Sequence, residues 1–149
     1  MTTVRPLIPT DRPQWQPLYA GYNTFYEHEL DDARADLVWG WLQDAVHEEF
    51  GVVAVDDEGK LVGIAHLREY ARPGVGGRGL FLDDLFTDPA SRGTGVATAL
   101  LEAIKQLAKD RDLSVVRWVT ADDNHTAQSV YNKVATRTTW VTYDMALDE

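Results

Sequence analysis

Apolar and aromatic positions recur at three- and four-residue steps early in the chain, where Trp15, Leu18, Tyr19, Tyr22, Phe25 and Tyr26 line one face of a helix. The turn and capping residues ahead of them, Pro9-Thr10-Asp11-Arg12-Pro13, predict a helix start near Pro13 or Gln14. Pro17 then falls in or beside the first turn, where backbone donors have no helical partner anyway. A short strand over residues 2–7 precedes this helix. Leu37, Val38, Trp41, Leu42, Ala45 and Val46 repeat the helical period behind Asp31-Asp32, an acidic start that suits the helix dipole. The pattern then becomes strand-like. Residues 51–55 and 60–69 read as antiparallel neighbours joined by Asp56-Asp57-Glu58-Gly59, a turn with a glycine for positive φ.

Residues 72–79 are rich in glycine and read as a flexible loop, and residues 80–87 as a strand ended by Asp88-Pro89. Val96, Leu100, Leu101, Ile104 and Leu107 mark an amphipathic helix to about Lys109, followed by a strand at 115–120. Ala127, Val130, Tyr131 and Val134 form a short helix face after Asp122-Asp123-Asn124, and residues 140–147 read as a closing strand. The order of strand, two helices, three strands, helix, strand, helix and strand predicts an α/β fold around a mixed sheet. A length of 149 residues suits one domain over 1–149.

Composition narrows the chemistry. Hydrophobic residues at 44% and charged residues at 26% are the balance of a globular, core-forming chain. A net charge of −10 repels polyanions, so a nucleic-acid partner is not expected; the excess acid is either a solvated surface or an attraction for a cationic substrate. With no cysteine, disulfides, thiolate metal sites and a cysteine nucleophile are excluded. His28, His47, His66 and His125 are dispersed without a ligand spacing such as His-Glu-x-x-His, so no metal is expected. No apolar run approaches the roughly 18 residues of a membrane helix, and residues 1–6 lack an apolar signal core; a cytoplasmic, membrane-free protein is the expectation.

The segment that carries chemistry runs from Arg92 through Gly93, Thr94, Gly95 and Val96 to Ala97, between a predicted strand and a predicted helix. Glycines there let backbone amides converge on an anion, and the helix dipole adds to the attraction. No Lys-Ser or Lys-Thr pair follows Gly95, which argues against a P-loop, and the dinucleotide fingerprint is incomplete and late in the chain. On the glycines alone, a phosphate nest and an ordinary tight loop are equally good readings.

The wider stretch 82–101, with Arg92, Gly95 and Ala97 on a (Gln or Arg)-x-x-Gly-x-(Gly or Ala) core, resembles the acetyl-CoA motif of the GNAT superfamily of N-acetyltransferases. Downstream, Asn124, Ala127 and Tyr131 resemble that superfamily's second motif, and the predicted element order is similar over nearly the whole chain. Short matches at Phe25-Tyr26-Glu27, 82–86 and 131–135 resemble the polyamine, diamine and histone acetyltransferase subgroup. Where such relatives commonly have Gly-Phe before the last strand, this chain has Thr138-Thr139-Trp140.

The resemblance implies a GNAT-like acyl-CoA N-acyltransferase fold, a central mixed β-sheet flanked by helices, with acetyl-CoA as co-substrate and a small cationic amine as acceptor. Protein lysine, or a non-catalytic acyl-CoA sensor, are the alternatives, and a homodimer is common among similar proteins. Backbone groups of Leu85, Phe86 and Thr87 would pair with the pantetheine arm, and residues 92–97 would hold the pyrophosphate. Asn124 would help to fix the cofactor, and Tyr131 would contact it and protonate the leaving thiolate. Asp83 is the expected proton acceptor, directly or through water, and Asp84, Glu27 and Tyr26 are expected on the substrate side. Asp83 and Asp84 should point to opposite faces, since strand side chains alternate. Without the resemblance, Tyr131 reads as a core aromatic and the acids at 27, 29, 31 and 32 as a solvated helix junction.

Overall fold

The computed structural model describes residues 2–147, which fall into two compact units, one reaching to Val119 and the other beginning at Thr120. The first holds β1 (Thr3–Pro6), α1 (Arg12–Phe25), α2 (Asp32–Gln43), β2 (Glu49–Val55), β3 (Leu61–Arg72), β4 (Gly77–Thr87), α3 (Val96–Asp110) and β5 (Val116–Arg117). The second holds α4 (His125–Val134). The sheet runs β1-β2-β3-β4-β5, antiparallel except for the parallel β4-β5 pair. A mixed sheet flanked by helices is what the sequence pattern predicts, with five strands in place of the six expected.

β3 is buried continuously from Leu61 to Leu67, the signature of a strand covered on both faces. Its alternation sorts the two layers. Ile64 joins Trp15, Leu18, Tyr19, Val38, Val53, Leu61 and Phe86 under α1 and α2. Gly63 faces α3, where a Cβ would lie 2.8 Å from Val96 Cγ1 and 3.0 Å from Leu100 Cδ1, so the glycine lets the start of α3 seat directly on the sheet.

Three expectations are corrected. Residues 72–79 are not a flexible loop but the tip and flank of a hairpin: Ala71 pairs with Arg78 and Arg72 with Gly77 around a short 3-10 turn, with Gly76 at φ 63°. Backbone ladder bonds there replace the apolar periodicity on which the sequence reading relied. The strand expected at 115–120 shrinks to Val116–Arg117. Residues 140–147 form no strand; Val141, Tyr143 and Met145 stand 75%, 91% and 88% exposed. Their alternation is strand-like, but a strand exists only where a ladder partner completes it, and the described residues supply none. Smaller shifts occur at helix ends. α1 starts at Arg12, which leaves Pro17 inside it, and α2 stops at Gln43, which leaves Ala45 and the exposed Val46 beyond it.

Candidate active site

The glycine loop has the form of an anion nest. Gly93 and Gly95 adopt φ 78° and 86°, the left-handed region, and an added Cβ at either would meet open space. Gly95 is the N-cap of α3 and supplies no side-chain acceptor, and the first helical bond runs from Ala99 N–H to Gly95 O at 2.9 Å. The amides of Val96, Ala97 and Thr98 therefore precede the helical ladder and are donors for a ligand. Thr94 Oγ1 donates to Ser91 O and braces the loop, and the Arg92 guanidinium sits 5.5 Å from the Phe86 ring centroid. A cavity of about 490 Å³ adjoins it, lined by Leu18, Gly21, Phe25, Phe86, Asp88 and Arg92 among others.

β4 leads into this loop with one edge open. It pairs with β5 only at Leu80 and Phe81, so from Leu82 to Thr87 the edge away from β3 has no strand partner among the described residues. Asp88 N–H donates to Val62 O at 2.8 Å, which sets the parity: Phe86 turns its backbone groups to β3, while Leu85 and Thr87 present theirs to the open edge. An extended ligand carrying amides can be bound there as an added strand. Of the three backbone positions expected from the sequence, two face outward; Phe86 instead contributes its buried ring.

The two aspartates correct the expectation of opposite faces. Opposite β4, His66 pairs with Asp84 and Leu67 with Leu82, so Asp83 is an extra residue, a β-bulge. A bulge breaks strict alternation, and both carboxylates line one open cavity of about 440 Å³ with Tyr19, Val38, Trp41, His47, Glu48, Glu49, His66 and Arg68. Their partners differ. Asp83 takes Arg68 Nε on both oxygens, at 3.0 and 3.3 Å. Asp84 Oδ2 lies 2.8 Å from Nδ1 of His66, and His66 Nε2 lies 3.0 Å from the indole nitrogen of Trp15.

Acidic crowding marks this cavity electrically. Glu49 stands opposite Arg68 in the β2-β3 register. Its carboxyl is pushed up to about 9, first by burial, then by its hydrogen bond to Asp83 and the charges of Asp83 and Asp84, with Arg68 opposing. Tyr19 is pushed up to about 12 by burial and by Asp84. Tyr22 is raised further by burial, by the charge of Asp84 and by a hydrogen bond to it, and its hydroxyl also reaches Asp83 O at 3.5 Å. Glu49, His66 and Trp15 went unrecognised as site residues in the sequence. Glu49 lies ahead of the strand read at 51–55, and a Trp on a helix stripe reads as core. The available signal was the strand pairing of residues 49–55 with 61–68, which brings Glu49 to Arg68.

Tyr26 and Glu27 lie at the end of α1, outside the lining of this cavity. The Tyr26 ring packs on Tyr22 and Phe25 at 4.9 and 5.1 Å, and Glu27 sits in an exposed turn at φ 61°. In the second unit, Asn124 caps α4, its side chain accepting from Ala127 N–H at 3.3 Å, and Tyr131 is a half-buried residue of the same helix. No helix among the described residues is long and apolar enough to cross a membrane, and they hold no cluster of three metal-ligating side chains.

Residues 15–135 match the model of the acetyltransferase (GNAT) family. The chain is 28% identical over 141 residues to a D-amino-acid N-acetyltransferase of Saccharomyces cerevisiae, covering 94% of this chain and 88% of that protein. A crystal structure of a probable acetyltransferase superposes with a TM-score of 0.88 at 22% identity, covering 99% of both chains. The ribosomal-protein-alanine N-acetyltransferase of Brucella melitensis biovar Abortus 2308 superposes with a TM-score of 0.79 at 22% identity, over 99% of this chain and 100% of that one.

Proposed function

Because this chain belongs to the acetyltransferase (GNAT) family and is an N-acetyltransferase, we propose that it transfers acetyl from acetyl-CoA to a primary amine of a small cationic molecule such as a polyamine or diamine. The observation that carries the acceptor class is the cavity at the β4 bulge, where Glu48 and Asp84, with the Asp83–Arg68 ion pair and a Glu49 carboxyl held toward its neutral form, lie beside the rings of Tyr19 and Trp41. Carboxylates and aromatic faces together favour ammonium groups.

The residues present fit the cofactor. Amides of the 93–97 loop and Arg92 would hold its pyrophosphate, and Leu85 and Thr87 would pair with its pantetheine amides, while Phe86 packs beneath. Bound there, the thioester supplies the acetyl group. The bulge offers Asp83 and Asp84 to an ammonium proton, directly or through water, since attack requires a neutral amine. By likeness to the family motif, Tyr131 would donate a proton to the leaving sulfur and the Asn124 amide would steady the cofactor. Tyr26 and Glu27 would meet a distal ammonium of a longer substrate. Cytoplasmic residence, a single functional domain over 1–149 and a homodimer complete this reading.

A second acceptor class has a specific support. The yeast relative is named for D-amino acids, and Arg68 could exchange Asp83 for a substrate carboxylate. Release of free CoA should be measured across polyamines, diamines, lysine analogues, histone peptides and D- and L-amino acids. The highest kcat/KM is expected for a di- or polyamine. A preference for D-amino acids establishes the second class, a preference for peptides protein lysine, and CoA binding without release from any amine would refute an acetyltransferase role in favour of a sensor.

A further inference from the structure

We infer that Asp84, and not its bulge neighbour Asp83, is the carboxylate that takes the acceptor's ammonium proton, and that His66 and Trp15 are positioning residues that aim it. This rests on the acetyl-transfer reading above. An indole N–H can only donate, so at 3.0 Å from Trp15 Nε1 the His66 Nε2 must accept. The proton of the ring is thereby placed on Nδ1, 2.8 Å from Asp84 Oδ2, where it donates to the carboxylate. The ring is 2% exposed and has Tyr19 edge-on at 4.8 Å between centroids, so it cannot swing away. Trp15, wholly buried under α1, thus sets the tautomer of a histidine on β3, which in turn sets the orientation of a carboxylate on β4.

Asp83 has the opposite surroundings. Its oxygens are occupied by Arg68 and by the Glu49 carboxyl, and a proton arriving there breaks an ion pair. A proton arriving at Asp84 meets a neutral imidazole donor and a tyrosine hydroxyl, and opposes no fixed cation. In the step itself the acceptor R–NH3+ gives one proton to Asp84, and its nitrogen forms the C–N bond as the C–S bond breaks. The second nitrogen proton replaces the one delivered to sulfur. The Asp84 proton then leaves to solvent, so that R–NH3+ and the thioester yield amide, thiol and one proton.

The test compares Asp84→Asn, Asp83→Asn, Trp15→Phe, His66→Asn and His66→Phe at saturating acetyl-CoA, with amines of graded basicity. Besides His66 and Asp83, the groups facing Asp84 are Glu49 from β2, Arg68 from β3, Tyr19 and Tyr22 from α1, and His47 and Glu48 from the turn after α2; pH profiles are read against all of them. Asp84→Asn should lower kcat by about 100-fold or more for strongly basic amines, with recovery as pH approaches the amine's own pKa and much smaller loss for weakly basic amines that arrive neutral. Asp83→Asn should act chiefly on the KM of the amine. Trp15→Phe should lower kcat several-fold with little change in KM, and His66→Asn, which keeps a donor near the Nδ1 position, should exceed His66→Phe. The 15N shifts of His66 supply a readout free of turnover, expected to show the Nδ1–H tautomer in the wild type and a mixture in Trp15→Phe. A larger kcat loss in Asp83→Asn, an Asp84→Asn loss independent of amine basicity, or an Nε2–H tautomer would overturn the inference. A wild type that acetylates no amine would instead overturn the functional reading, leaving the tautomer result to stand or fall alone.

Discussion

Replacing Gly63 by alanine tests whether the seat of α3 on the sheet sets the loop proposed to hold CoA. The new Cβ would lie 2.8 Å from Val96 Cγ1, 3.0 Å from Leu100 Cδ1 and 3.3 Å from Phe86 O. Carbon pairs settle at about 3.5–4.0 Å, so the first turn of α3 must retreat by roughly 0.7 Å. Overpacking of this kind costs about 1–3 kcal/mol, offset by about 0.5–1 kcal/mol gained when glycine leaves a strand interior. The net loss is about 0.5–2 kcal/mol, or about 1–8 °C in Tm at this chain length. Because Val96 directly follows Gly95, the displacement reaches the amides of the nest, and CoA should bind about 3- to 10-fold more weakly, equivalent to about 0.7–1.4 kcal/mol. Thermal unfolding and calorimetric titration with CoA measure the two effects. Val96→Ala removes the nearest clashing methyl and leaves Leu100 Cδ1 at 3.0 Å, so the double variant should recover part of both losses, with a coupling of at least about 0.5 kcal/mol. Additive single effects, or a lower Tm with unchanged CoA affinity, would refute the reasoning.

Two further outcomes concern pH. The Glu49 carboxyl is raised in the folded state from its ordinary 4.5 to about 9, so its stabilising contribution is fully present below about pH 4.5 and is lost as pH rises toward 9. Glu49→Gln, which mimics the protonated form, should therefore gain in Tm relative to wild type as pH climbs through that window; parallel Tm curves from pH 5 to 9 would contradict it. Asp11 behaves in the opposite sense. Its carboxylate takes Arg5 at 2.8 and 2.9 Å and the Ile8 N–H at 2.8 Å, and the Arg5 bonds above all hold it below its ordinary 3.8. Stability from this group is present above about pH 3.8 and is lost as pH falls through the lowered value. Asp11→Asn should cost about 1–2 kcal/mol at neutral pH, discounted because Arg5 is partly exposed. That gap should close in acid denaturation below pH 4, and a constant gap would show that charge is not its source.

Much of this protein is legible along the chain because the relevant physics is local. Helical periodicity placed α1, α2 and α3 to within a few residues, and turn chemistry marked the 56–59 connection. The turn at 92–97 was visible because only glycine takes the left-handed conformation cheaply, and Gly93 and Gly95 both adopt it. Where ladder partners decide the outcome, local pattern misled: residues 72–79 gained a hairpin and residues 140–147 lost a strand. The cavity at the β4 bulge belongs wholly to the tertiary structure. One extra residue against β3 turns Asp83 and Asp84 to the same side, and strand register brings Glu49 to Arg68. The two aspartates are then distinguished by neighbours distant in sequence, Trp15 through His66 for Asp84 and Arg68 for Asp83. Sequence alone determined that a glycine turn stands between a strand and a helix near two adjacent carboxylates, and resemblance to a family motif made that turn a candidate anion nest. Only the fold decided which faces those carboxylates take and what each is bonded to, because a bulge and a buried hydrogen-bond chain are properties of paired strands and packed layers.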